Sequence, residues 1–198
     1  MKIKETYVSF IGEINVGRLA FFIYTDKNGV EINIDSLIEN SQNFSKIVFL
    51  GDVLEQKNEL SIFIKKIVKL NPNVSIEIET YGTIKPTGIT TYKNIIYNVN
   101  VRLKNTNIDY NKRYDKNILT WLSDADSNFL FYVIDDECID EANSIIRDVG
   151  IKKNKVFLAN KDEATKEILD FLIKKAKTNN YNFSLNYKKT FWPEIGRF

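Results

Sequence analysis

A chain of 198 residues with 43% hydrophobic content has the size and apolar content for a single domain, residues 1–198, with a full core and no need of disulfides or a structural metal. Its 28 Lys and Arg against 26 Asp and Glu leave a net charge of only +2, scattered singly or in pairs, which is not the basic stripe of a nucleic-acid binder. Cys138 is the sole cysteine and there is no histidine, so within this chain every mechanism built on a thiolate cluster, a histidine base or a histidine-ligated metal is excluded. The opening MKIKETYVSF lacks a signal-peptide core, and no run approaches the roughly 18 apolar residues of a membrane span. A cytoplasmic protein is the expectation, with neither membrane nor nucleic acid as partner.

Residues 5–11 and 19–24 read as strands of a hairpin around the loop from Gly12 to Gly17, followed by an Asp26-Lys27-Asn28-Gly29 turn. Residues 30–34 alternate like a short edge strand, and Asp35 is placed to cap a brief helix reaching about residue 43. The apolar run Lys46 to Leu50 ends in Gly51-Asp52, as a buried parallel strand does where it meets a loop. Helical spacing of Leu60, Phe63, Ile64, Ile67 and Val68 predicts a helix over 58–70, stopped by Asn71-Pro72-Asn73. Strands are predicted at 74–79, 95–101 and 128–134. An amphipathic helix then carries Ile139, Ala142, Ile145, Ile146 and Val149, with Gly150 as a left-handed cap and Cys138 on its apolar face. After a strand at 155–159, Asn160 and Glu163 stand in capping-box spacing ahead of a third helix bearing Ile168, Leu169, Leu172, Ile173 and Ala176. A last strand at 182–187 precedes the tail KKTFWPEIGRF. Recurring strand, helix, strand implies an α/β protein of about six mainly parallel strands, about three long helices and an N-terminal hairpin, incomplete on one side.

Four segments, in order, resemble those of the 7-carboxy-7-deazaguanine synthases, radical S-adenosylmethionine enzymes of the queuosine and 7-deazaguanine pathway. YVSFIGEINVGRLAFFI resembles the family's opening strand, Gly-Glu loop and second strand at Gly12, Glu13, Gly17 and Ala20. VFLGDVLEQ is similar to Gly-Gly-Glu-Pro-Leu-Leu-Gln at Gly51, Leu54 and Gln56. IEIETYGTIKP matches Ile-Glu-Thr-Asn-Gly-Thr at Glu79, Thr80, Gly82 and Thr83, and SLNYKKTFWPEIGR looks like the closing strand and tail. The resemblance spans almost the whole chain and implies a radical-S-adenosylmethionine-like partial (β/α) barrel.

The departures fall on the family's chemistry. Where it carries a C-x-x-x-C-x-x-C loop for a four-iron four-sulfur cluster, this chain has only TDKNGVEIN. Without that cluster no electron reaches S-adenosylmethionine to cleave it. The magnesium-associated Asp-Thr has no counterpart, the substrate-carboxylate arginine falls at Tyr24, and the closing-strand histidine falls at Lys188. In the Gly-Gly-Glu-Pro segment Leu50, Asp52 and Val53 replace Gly, Glu and Pro, although a shorter carboxylate still pairs with an ammonium group.

The resemblance therefore implies a pseudoenzyme that acts by binding protein: a regulator, scaffold or partner subunit of a pathway enzyme, as a homodimer or as a heterodimer with a related synthase-like chain. Phe191, Trp192 and Phe198 are the candidate interface anchors. An alternative is a small-ligand binder retaining S-adenosylmethionine or a pterin-like compound in a pocket of Glu13, Gly51, Asp52, Glu79, Thr80, Gly82 and Lys188. A third is a redeployed, non-radical enzyme using Glu13, Asp52, Glu79 and Lys188 for proton transfer. No iron–sulfur cluster or metal is expected in any of them. Strand-ending turns at Gly51-Asp52 and 79–83 with no ligand are the plainer reading of the same residues.

Overall fold

The computed structural model describes residues 1–160 and 165–185. One sheet contains all nine described strands in the order β3-β1-β2-β4-β5-β6-β7-β8-β9. β1 (Lys2–Phe10) and β2 (Leu19–Thr25) form the expected antiparallel hairpin, and β3 (Val30–Glu31) adds two residues to its edge. From β2 onward every pairing is parallel, through β4 (Lys46–Gly51), β5 (Ser75–Thr80), β6 (Ile95–Val101), β7 (Ser127–Tyr132), β8 (Val156–Ala159) and β9 (Asn182–Ser184). The crossovers carry α1 (Ile34–Ser41), α2 (Lys57–Leu70), α3 (Tyr110–Arg113), α4 (Lys116–Asp124), α5 (Asp136–Val149) and α6 (Lys166–Asn179). The three 14-residue helices α2, α5 and α6 are the three long ones that the periodicity picks out.

Strand alternation decides what each face of the sheet meets. Ile47 and Phe49 of β4, Ile76 and Ile78 of β5, Tyr97 and Val99 of β6 and Phe129 and Phe131 of β7 point into the main core with the helices. The opposite face holds a small apolar group of Ile11, Ala20, Phe22 and Val48, and beside it a polar ladder. In that ladder Glu77, buried to 1% exposure, accepts the Lys46 ammonium and the amides of Asn15 (3.1 Å) and Asn98 (2.8 Å), and Asn128 donates to the Asn98 carbonyl (3.0 Å).

This face curls on itself. Four strand steps separate β2 from β7, about 19 Å in a flat sheet, yet the Tyr132 hydroxyl at the end of β7 donates to Glu13 of the β1–β2 loop at 2.6 Å.

Several boundaries differ from the sequence reading. β3 stops at Glu31, and α1 is capped by Asn33, not Asp35: the Asn33 side chain accepts the Asp35 N–H at 2.8 Å, while Asp35 pairs with Lys66. Helix α6 begins after Thr165, whose hydroxyl accepts from Ile168 N–H (3.4 Å), so the expected cap at Asn160 is displaced; Glu163 lies outside the described residues. The described part of the last strand is Asn182–Ser184. Helices α3 and α4 escape the periodicity argument because they are short, only 4 and 9 residues. Gly150 is left-handed, at φ 79°, as expected. Among the described residues no helix is long and apolar enough to cross a membrane.

Candidate functional site

A cleft of about 460 Å³ opens where β2, β4, β5 and β6 end, the edge at which parallel α/β sheets hold ligands. Each wall follows from a strand terminus. Thr25 closes β2 and its hydroxyl donates to the Leu50 carbonyl at 2.9 Å, which clamps β2 to β4. The chain then turns sharply at Gly51, where φ is +83° and a Cβ would lie 2.1 Å from the Thr25 carbonyl oxygen. Only glycine fits this approach.

The turn delivers Asp52. One of its carboxylate oxygens, Oδ2, accepts the Lys27 backbone N–H at 2.9 Å and so ties down the short β2–β3 turn; the other, Oδ1, is buried with no hydrogen-bond partner. A buried acceptor left unpaired costs about 1–3 kcal/mol, so this oxygen is the strongest demand in the cleft for a donor.

The far wall is built from β5 and β6. Glu79 and Thr80 end β5, and the Thr80 hydroxyl accepts the Gly82 N–H at 3.2 Å, which turns the chain so that Tyr81 stands at the rim. Gly82 itself is not a wall: it sits behind the turn at φ +73°, where a Cβ would strike Leu119 at 2.5 Å. Arg102, just past β6, lays its guanidinium 3.4 Å over the Tyr81 ring. Its carbonyl is gripped by the buried Arg113 at 3.2 Å, and Arg113 is in turn paired with Glu141 at 2.6 Å. With Asp26, Asp52, Glu55 and Glu79 against Lys27 and Arg102, the walls carry an excess of negative charge.

Of the pocket set expected from sequence, the cleft brings together Gly51, Asp52, Glu79 and Thr80. Glu13 is not among its walls; it is bound to Tyr132 on the inner face of the sheet. The Tyr132 phenol also feels the charge of Glu79. Its pKa is pushed far above the ordinary tyrosine value, first by burial, then by the charge and hydrogen bond of Glu13, and further by Glu79, so Tyr132 stays a donor. Lys188, Phe191, Trp192 and Phe198 lie outside the described residues.

Tyr81 belongs to the 79–83 segment already singled out, whereas Arg102 and the Lys46–Glu77–Asn98 ladder were missed. Strand alternation already puts Glu77 on one face with Glu79, and that was the available signal. The Arg102–Tyr81 stack joins two loops 21 positions apart and leaves no local pattern.

The donor set does not fit an iron–sulfur cluster. The β2–β3 turn offers Asp26, Lys27 and Asn28, and the one thiol, Cys138, is buried in α5 with its pKa raised chiefly by burial. Among the described residues no group of three or more His, Cys, Asp or Glu side chains could hold a metal. The unpartnered Asp52 oxygen is an acceptor that calls for a hydrogen-bond donor.

The chain shares its fold with solved structures of two other proteins. The chain superposes on QueE from Escherichia coli, a 7-carboxy-7-deazaguanine synthase, with a TM-score of 0.63 at 16% identity, over 93% of this chain and 92% of that one. It also superposes on SuiB from Streptococcus suis bound to precursor peptide SuiA, with a TM-score of 0.56 at 11% identity, over 81% of this chain but only 44% of that one. No protein-family profile matches the sequence, and no curated protein matches it.

Proposed function

We propose that this chain is a cluster-less counterpart of the 7-carboxy-7-deazaguanine synthases that works by binding and carries out no radical chemistry of its own. The single observation behind the binding site is Asp52, whose buried Oδ1 lacks a partner inside an acid-rich cleft at the strand ends. A cleft of about 460 Å³ is in the size range of small-molecule sites. The ligand is a small molecule with an ammonium group, S-adenosylmethionine in the first instance, its ammonium on Asp52. Isothermal titration with S-adenosylmethionine is the test. Saturable heat from the wild type that falls at least about tenfold in affinity in Asp52→Asn supports the reading, one lost charged hydrogen bond being worth about 1.5–3 kcal/mol. Absence of heat, or an unchanged Asp52→Asn, removes it.

A protein partner is the second reading, in which the chain is a homodimer or the companion of a related synthase-like enzyme. It is favoured by Val8, Phe10, Val16 and Leu19, which are 44–51% exposed and gathered at the tip of the β1–β2 hairpin. Sedimentation of the wild type against Phe10→Ser/Leu19→Ser, alone and mixed with an active synthase, decides it. Identical monomeric profiles in every mixture would discard this reading.

A further inference from the structure

At the other end of the sheet a second cleft, of about 410 Å³, lies between the start of β6 and the end of α4. Its walls are aromatic. The Trp121 ring meets the Tyr97 ring edge-on at 5.8 Å between centroids, and Tyr92 stands beside them on the loop that leads into β6. Tyr97 is 3% exposed, and its hydroxyl is buried without a hydrogen-bond partner. Burial raises that phenol to about 12, so at neutral pH it is an uncharged group wanting a partner.

The rim adds charge. Asp124 and Asp126 flank the opening, and among the described residues neither carboxylate has an ion pair within 4 Å, although both attract the Lys155 ammonium from outside the cleft; Lys93 is the one basic residue of the walls. This rim is also where α4 ends, so carbonyl oxygens and the negative end of the helix dipole gather there. Lys155 shows what that attracts: its ammonium sits on the carbonyls of Ser123 (3.0 Å) and Ala125 (2.6 Å), outside the cleft walls. The backbone is fixed as well, because the Tyr97 N–H donates to the Asp126 carbonyl at 2.9 Å.

We propose that this cleft is a second binding site, for a small aromatic cation of the amidinium or arylalkylammonium type, with its ring against Trp121 and Tyr92 and its N–H groups toward Asp124 and Asp126. Stacking of a cation on indole and phenol faces and charge-assisted hydrogen bonds to carboxylates supply the recognition. The site is independent of the Asp52 cleft. It lies at the opposite ends of the strands, about 20 Å away along β6.

The two tryptophans make the test direct, since Trp192→Phe leaves Trp121 as the only indole. In that background benzamidine, uncharged benzamide and anionic benzoate are titrated while Trp121 fluorescence is followed. The expected result is a saturable change with benzamidine, weaker binding of benzamide and none of benzoate. Asp124→Asn/Asp126→Asn, both exposed positions, is expected to weaken benzamidine by at least about fivefold while leaving the urea midpoint in place. Asp52→Asn should leave the benzamidine titration unchanged. The proposal is overturned by a flat benzamidine titration, by benzoate or benzamide binding as tightly as benzamidine, by an unaltered Asp124→Asn/Asp126→Asn titration, or by loss of binding in Asp52→Asn.

Discussion

Glu77→Gln is expected to be among the most damaging single substitutions on the inner face of the sheet. The side chains of Lys46 and Glu77 are 8% and 1% exposed, and Glu77 gathers Lys46, Asn15 and Asn98 around one carboxylate. Removing the negative charge leaves an ammonium group buried without its counter-ion, and breaking a buried pair in this way costs about 3–5 kcal/mol. That is a large share of the 5–15 kcal/mol that holds a typical domain folded. For a chain of this length each kcal/mol moves the melting temperature by about 2–4 °C, so a fall of roughly 6–20 °C is expected. Urea unfolding followed by circular dichroism gives the free energy directly, with Lys46→Met, Glu77→Leu and Lys46→Met/Glu77→Leu completing a double-mutant cycle. The double variant, which removes both charges, is expected to recover most of the loss. A Glu77→Gln penalty under about 1 kcal/mol, or a double variant no better than Glu77→Gln, would refute the claim that this pair is buried and mutually dependent.

Gly51→Ala must place a methyl group against the Thr25 carbonyl and keep a left-handed backbone, so it is expected to destabilise by well over the ~1–2 kcal/mol of the backbone term alone; the urea midpoint measures it. Asp135 caps α5 by accepting the Cys138 N–H at 2.8 Å, and that bond holds its carboxyl below the usual range. A depressed carboxylate stabilises above its unfolded-state value and loses that contribution as pH falls through the lower folded one. Asp135→Ala should therefore cost about 1 kcal/mol at neutral pH and progressively less in acid below about pH 4. Cys138 is buried, with its thiol pKa raised chiefly by burial, so labelling with a thiol reagent at pH 7 should be slow until urea unfolds the chain.

The fold was legible because its signals are repeated and local. Apolar runs such as Lys46 to Leu50 and the spacing of Ile139, Ala142, Ile145, Ile146 and Val149 mark strands and helices by periodicity alone. Helix starts were less legible. Asn33 against Asp35 is a choice between two good caps two positions apart, and Asp35 is taken up by Lys66; Thr165 caps α6 five residues beyond Asn160. The rim cleft was half legible, since Gly51-Asp52 and Glu79-Thr80 end strands and strand ends carry ligands. The place of Glu13, on Tyr132 and not in the walls of the rim cleft, follows from the curl of the sheet, a property of the whole β2 to β7 span that no local pattern reports. The aromatic cleft at Tyr97 and Trp121 was not legible at all, as it joins a strand start to a helix too short to announce itself.

On the proposed function, S-adenosylmethionine binds to this chain and stays intact. The most direct measurement is the fate of S-adenosylmethionine after anaerobic incubation of the iron- and sulfide-treated chain with a strong reductant, read by separating bound from free ligand and quantifying both forms. Intact S-adenosylmethionine co-eluting with the protein, with no reductive cleavage product, is the expected result. Cleavage product, or no retained ligand at all, would contradict it.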